Sequence, residues 1–243
     1  MTAALDVVAL RAIDAVFDDM VVPLERERAE EIAAHWAELQ AKNPHLWNGR
    51  VLVQHAWEIV GGVYRARYAA INFATMLAWR DKGFPGPPMR NGFAAAALRA
   101  RDGAFLMGLM AETTANAGRW HFPAGTPDLQ DVTADGRVDL AASLVRELRE
   151  ETGLEATEVV IDPRWYAVEA GPRVAFLRIV DLPLDADAAR ALILSRLPSL
   201  AEQELADIVI VRTRADVDRQ RSPPFFAAFL DAALEGRLPQ AAR

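Results

Sequence analysis

The sequence contains no cysteine. That excludes a disulfide frame, a thiol nucleophile and a thiolate metal site. Histidine is scarce, and the four present, His35, His45, His55 and His121, have no spacing that would hold zinc. The chain has no Gly-x-Ser-x-Gly elbow, no Gly-x4-Gly-Lys-Ser/Thr loop and no His-Glu-x-x-His pair, so none of those catalytic sets competes for the assignment. No apolar run approaches the length needed to span a bilayer. The N-terminus lacks a basic start followed by an apolar stretch, since Asp6, Asp14, Asp18 and Asp19 interrupt it; a soluble cytoplasmic protein is the expectation. Positive charge is in deficit, with 27 Lys and Arg against 34 Asp and Glu and a net charge of -7. That argues against nucleic acid or an anionic membrane as an obligate partner.

What is present is enough apolar material for a sizeable core: 52% of 243 residues are hydrophobic, which suits one large domain or a core domain with an extension. The most informative stretch is Arg146-Glu147-Leu148-Arg149-Glu150-Glu151-Thr152-Gly153-Leu154. Leu140, Leu144 and Leu148 recur at helical spacing with Val145 beside them, so one side of a helix is buried and the acids are expected to face out. Gly153 is placed to cap its C-terminus. Glu147, Glu150 and Glu151, at i, i+3 and i+4, share a face within one turn. Three like charges that close are tolerable on a fully solvated face or around a bound cation. Carboxylate oxygens are hard ligands, so the cation expected is Mg2+, with Mn2+ as a substitute.

Along the chain, residues 1–23 read as either strand or helix. Residues 25–42 read as a helix with Ile32, Trp36 and Leu39 on one face, ending before Asn43-Pro44. Residues 50–71 read as a hairpin turning at Gly61-Gly62, and 73–82 as a short helix. The Pro- and Gly-rich run 83–88 is the candidate boundary, giving an N-terminal extension or cap over 1–90 and a second unit over 91–243. In the second unit a hairpin is expected over 93–110, a short strand at 119–122 and a long loop over 124–138, followed by the acidic helix. Strands at 157–161, 165–169 and 173–179, a helix at 186–197, a strand at 208–212 and a final helix at 223–234 complete a mixed α/β sandwich.

The nine-residue stretch resembles the second half of the signature of the Nudix hydrolases, G-x5-E-x7-R-E-U-x-E-E-x-G-U, where U is aliphatic. Every fixed position from Arg146 to Leu154 agrees. Phe122-Pro123-Ala124-Gly125 is similar to the segment that ends the strand before that helix. The first half departs: Arg146 follows Gly125 by 21 positions, about seven more than the signature allows. Val138 stands where the family has Glu; Asp131, counted forward from Gly125, or Asp139, beside the gap, is available for that role. Trp36 and Asn43-Pro44-x-Leu46-Trp47-Asn48-Gly49 resemble the N-terminal part of Nudix members that hydrolyse UDP-glucose. Trp36, Trp47, Trp57 and Trp79 are expected in the core rather than on a base-stacking shelf.

The resemblance implies an α/β/α sandwich of Nudix type (α+β) with an N-terminal helix-plus-hairpin extension. It implies a Mg2+-dependent pyrophosphohydrolase that cleaves a nucleoside diphosphate linked to another group, with a UDP-glucose-like nucleotide sugar first and ADP-ribose or coenzyme A as alternatives. A degenerate module that binds without turnover is the non-enzymatic alternative. Glu147, Glu150 and Glu151 would hold the metal; Glu150, Glu151 and Arg146 would form the catalytic group, with Arg146 paired to Glu150. Glu202 or Glu204 would supply an extra ligand or base. Arg119 and Gly125 would meet the substrate, and Asp131 and Asp139 would support the site from behind. His121, two residues from Arg119, would share its face of a strand, and Arg80 and Arg90 would hold a diphosphate if the first unit folds over the site. The expected partner is a small-molecule nucleotide derivative, with a homodimer possible in such a family.

Overall fold

The computed structural model describes residues 5–240. Among the described residues, two sheets and six α-helices make a mixed α/β fold, as the pattern of strands and helices predicts. The N-terminal stretch that was open between strand and helix is two strands, β1 (Val7–Leu10) and β2 (Ala12–Phe17). The helix expected over 25–42 is broken into α1 (Pro23–Glu27) and α2 (Ala29–Lys42) at Arg28, whose φ of -121° and ψ of 27° leave the helical region. The hairpin forms as β3 (Arg50–Val60) and β4 (Val63–Asn72), turning through Gly61 and Gly62 at φ 58° and 77°. Both values suit a type I′ turn, which requires residues tolerant of positive φ. Helix α3 (Phe73–Asp81) follows. Strand β2 pairs parallel to β4, and β3 pairs antiparallel to it, forming a three-stranded sheet.

The large sheet begins with β5 (Asn91–Arg99) and β6 (Phe105–Met110). The expected hairpin is only partly paired: β5 meets β6 at Leu98↔Leu106 and Arg99↔Phe105, and then the two strands separate. The gap is filled by β7 (Trp120–His121), which pairs with β6, and β8 (Ala124–Gly125), which pairs with β5 at Ala94↔Gly125. This wedge holds Gly125 against α4 (Leu140–Thr152). The segment 124–138, expected as loop, therefore contributes a short strand, and a single 3-10 turn over Leu129–Asp131.

Strands β9 (Val160–Ile161), β10 (Trp165–Ala170) and β11 (Arg173–Asp181) follow. Helix α5 (Ala186–Arg196), β12 (Leu205–Val211) and α6 (Pro224–Leu234) complete the fold. The order across the sheet is β1-β10-β11-β5-β6-β12, with β5 and β11 parallel. A parallel pair needs a long crossover, and here the crossover carries α4. Strand β1 pairs with β10, so residues 7–10 of the N-terminal segment form the edge of the large sheet.

One core cluster joins Leu140, Leu144 and Leu148 of α4 to sheet residues such as Ala94, Leu106 and Phe176, and to Tyr64 and Tyr68 of the smaller sheet. The other sheet face packs Phe93, Phe105 and Phe122 on Phe225, Phe226 and Phe229 of α6, mostly edge to face at 5.2–6.4 Å. No helix among the described residues is long and apolar enough to cross a membrane.

Candidate active site

Helix α4 is fixed at both ends. Asp139 caps its start, accepting from the backbone N–H groups of Ala141 and Ala142 at 3.0 and 2.9 Å. Gly153 closes it in the left-handed conformation at φ 70°, its N–H reaching the Arg149 carbonyl. The leucine stripe is buried as expected, but the acids are not all on a solvated face. Glu147 is 9% exposed and Glu151 only 2%, with β8 packed against both through Gly125 and Ala124; Glu150 alone of the three remains open to solvent.

Each buried acid has a defined contact. The Ala124 N–H donates to Glu151 Oε1 at 2.8 Å, and Glu151 Oε2 is buried with no partner. Glu147 lies against Gly125 so closely that a Cβ added there would fall 2.0 Å from Glu147 Oε1. Burial first, then the neighbouring Glu147 and Glu204 carboxylates, push the Glu151 carboxyl well above its ordinary range. Glu147 is pushed up to about 7 by burial, against the opposing pull of Arg146 and with further push from Glu204 and Glu150. Glu204 is also raised, by burial and then by Glu202 and Glu150. Four glutamates, three from α4 and Glu204 just before β12, therefore act on one another electrostatically. Of the two expected on the late loop, Glu204 is the half-buried one that acts on Glu147 and Glu151; Glu202 is exposed.

Arg146 organises the positive side of this group. Its guanidinium contacts Glu147 Oε1 at 2.9 Å, Glu150 Oε2 at 3.1 Å and Asp131 Oδ2 at 3.0 Å. Asp131 is 5% exposed. It also closes its own turn, with Asp131 Oδ2 accepting from the Asp128 N–H. Of the two aspartates that sequence reasoning offered as substitutes for the missing glutamate, Asp131 meets the arginine and Asp139 caps the helix. Val138 is simply core.

Arg119 and His121 do not share one face: the first is exposed and the second buried. Arg119 Nη1 donates to the Gln220 carbonyl at 2.6 Å and is exposed. His121 turns into the aromatic core, with Nδ1 3.0 Å from the Phe122 carbonyl oxygen and its ring edge-on to Phe226. Burial lowers its pKa from 6.5 to about 4, so the ring is neutral there. Arg90 is not free for a ligand either: it pairs with Glu169 at 2.5 Å and stacks over Trp57. Of the four tryptophans expected in the core, only Trp79 is buried; Trp36 and Trp57 are half-buried and Trp47 is 59% exposed. Sequence reasoning missed Arg173 at the start of β11, whose Nε is buried without a partner, and the buried trio Gln54, Tyr64 and Tyr68, which hydrogen-bond one another.

As the side chains lie, no three Asp, Glu or His residues among those described converge into a closed cation shell. Arg146 draws Glu147 and Glu150 toward itself, and the Ala124 amide holds one oxygen of Glu151. The residues nonetheless fit a hard divalent cation. The unpartnered Glu151 Oε2 and the crowded acids with raised pKa values are what such an ion would relieve. Ionising these acids side by side with no cation would cost on the order of several kcal/mol, which is what their raised pKa values express, and an oxygen-binding cation offsets that cost.

Residues 88–179 match the NUDIX domain family model. The chain carries a Nudix domain. The match spans the β5–β11 core with the wedge and α4, and the expected class, a hydrolase acting on phosphoric anhydrides, holds with it. It begins at residue 88, beyond the 36–49 segment that resembles UDP-glucose-hydrolysing members, so that finer resemblance gains nothing from it. No curated protein matches the chain. Among solved structures, a Nudix hydrolase from M. smegmatis, RenU, is 20% identical over 63% of this chain and 91% of its own, with a TM-score of 0.41. A C. elegans Ap4A hydrolase is 15% identical over 59% of this chain and 93% of its own, with a TM-score of 0.41. The Francisella tularensis bifunctional NMN adenylyltransferase/ADP ribose pyrophosphatase, complexed with AMP and Mn, is 15% identical over 67% of this chain and 45% of its own, also at 0.41.

Proposed function

We propose that the protein is a Mg2+-dependent pyrophosphohydrolase that cleaves a nucleoside diphosphate linked to another group, a nucleotide sugar first among the candidates. The observation that carries this reading is the buried acid cluster of the Nudix helix: Glu147 and Glu151, with Glu150 at the rim and Glu204 approaching from β12. A binding module without turnover has little use for like charges buried at such cost.

Glu147, Glu150 and Glu151 would hold the cation, with Glu204 as a further ligand. When bound, a divalent ion neutralises a diphosphate and lowers the pKa of a coordinated water. The chain's own residues do the rest. The Ala124 amide fixes the rotamer of Glu151, leaving its second oxygen free. Arg146, braced by Asp131 from behind, sets where Glu147 and Glu150 lie. One of these carboxylates, Glu150, Glu151 or Glu204, accepts the proton of the attacking water. Attack at phosphorus breaks the anhydride and releases a nucleoside monophosphate and a phosphorylated remainder. We further propose that residues 1–90 serve this site as a cap, since the turn at 127–128 leading away from Gly125 is tied to β3 by the Leu52 N–H to Pro127 carbonyl bond at 2.7 Å.

The test is a phosphate-release screen of UDP-sugars, ADP-ribose and coenzyme A, each with and without Mg2+ after coupling to a phosphatase. Mg2+-dependent release from a UDP-sugar above the other two supports the full reading. Release from ADP-ribose or coenzyme A instead keeps the chemistry and moves the substrate. Absence of release from any of them leaves the non-catalytic module as the reading to keep.

A further inference from the structure

Between Gly125 and Arg146 the chain is about seven residues longer than the Nudix signature allows. Residues 127–138 of that stretch tie the acid site to both edge strands of the smaller sheet, whose order is β2-β4-β3. At its start the Leu52 N–H of β3 donates to the Pro127 carbonyl at 2.7 Å, and Val51 bridges Asp128. At its end the stretch runs antiparallel to β2. The Phe17 N–H donates to the Gly136 carbonyl at 2.8 Å, the Val138 N–H donates to the Ala15 carbonyl at 3.0 Å, and Val16 bridges Arg137 between them. Arg137 also pairs with Asp14 at 2.8 Å. A sheet edge presents unpaired N–H and C=O groups, and here the lengthened stretch supplies partners at both edges.

Asp131 stands between the two ties. On the β3 side, its Oδ2 accepts from the Asp128 N–H and from Arg146, each at 3.0 Å. On the β2 side, its carbonyl accepts from the Asp139 N–H at 2.8 Å, and Asp139 directly follows Val138. Val138 is 5% exposed and shares a core cluster with Ala15. A glutamate at 138 would carry a carboxylate into that core, which is costly without a partner. The position where the signature has its first glutamate is thus given over to docking on β2, and Asp131 is the acid that meets Arg146.

We propose that the N-terminal sheet is a positioning element of the acid group. Strand β2, through the Ala15 carbonyl and the Phe17 N–H, holds the lengthened stretch so that Asp131 meets Arg146, and Arg146 sets where Glu147 and Glu150 lie. The inference rests on the proposed function for the role of those acids. It gives β2 a part in ion binding that a cap lying over the substrate would not have.

The experiment is titration of the full chain with Mn2+, read from the paramagnetic resonance signal of the free ion. Wild type binds it. Phe17→Pro deletes the N–H that reaches Gly136; that N–H is not spent on β4, and an edge strand tolerates proline. Mn2+ affinity falls about tenfold, while Phe17→Leu, which keeps the N–H, binds as wild type does. Arg137→Ala, an exposed change, weakens binding about two- to fivefold, and Arg137→Lys restores it. Asp131→Ala weakens binding at least as much as Phe17→Pro. The Phe17→Pro/Asp131→Ala double variant binds no more weakly than Asp131→Ala alone, because both act through one contact. Losses that add, or a folded Phe17→Pro chain with wild-type affinity, overturn the proposal. Should Phe17→Pro fail to fold, wild-type affinity in Arg137→Ala overturns it. Wild type that binds no Mn2+ removes the reading of the acids and this inference with it; wild type that binds while the β2 variants bind equally removes this inference alone.

Discussion

The carboxylate of Glu147 occupies the space that any side chain at residue 125 would need, 2.0 Å from where a Cβ would stand. Gly125 is not in a left-handed conformation, so its requirement is close approach and not backbone freedom. The contact joins the β8 wedge to the acidic helix at the point where the cation is expected.

Gly125→Ala should therefore displace Glu147 and leave the chain folded, since the carboxylate is the movable end of a flexible side chain. A melting curve should show a loss of about 1–3 kcal/mol. Phosphate release should need more Mg2+ to saturate. Unchanged Mg2+ dependence would mean that Glu147 plays no part in holding the ion.

Asp131 is a positioning residue in this account, acting through Arg146. Asp131→Ala leaves the guanidinium free to pull further on Glu147 and Glu150. Turnover should fall about 10–100-fold, the usual cost of removing a partner behind a metal ligand. Asp131→Glu, which keeps the charge, should recover part of it. If neither variant changes kcat, the Arg146–Asp131 pair is structural only.

His121 gives a stability prediction with a definite sign. Its folded pKa is about 4 against 6.5 for the free group, so the unfolded chain takes up the proton first. The neutral buried ring contributes fully above pH 6.5, and that contribution is lost as pH falls from 6.5 toward 4. The slope amounts to at most roughly 3 kcal/mol over that window. His121→Gln should flatten the decline in unfolding free energy between pH 7 and 4.5, measured by urea titration. An unaltered slope would mean that other groups set it.

The parts of this fold that were legible in the sequence are those with strong local signals. Leu140, Leu144 and Leu148 at helical spacing gave α4, Gly153 gave its end, and Gly61-Gly62 gave the β3–β4 turn. What was not legible depends on distant partners. Nothing near Leu98 says that β5 and β6 will part to admit β7 and β8, and nothing in Val7–Leu10 names β10 as its neighbour. That wedge packs against Glu147 and Glu151, which are buried rather than solvated. Asp131 and Asp139 were equal candidates by counting; the fold separates them, one buried on Arg146 and one at a helix start. Glu202 and Glu204 sit two apart before a strand, and only the path into β12 decides which turns inward. Arg173 carried no signal at all, because nothing near it in the sequence shows that its Nε will be buried without a partner.

The central claim is that the acids of α4 carry Mg2+-dependent cleavage of a phosphoric anhydride, and Glu151→Gln tests it most directly. The amide keeps the size of the side chain and removes its charge. Phosphate release at saturating Mg2+ should fall by about 10²–10⁴, with a melting temperature in EDTA equal to or above that of wild type, since a buried carboxyl that is costly to ionise has been replaced by a neutral amide. Turnover near the wild-type rate in a folded Glu151→Gln protein would contradict the account.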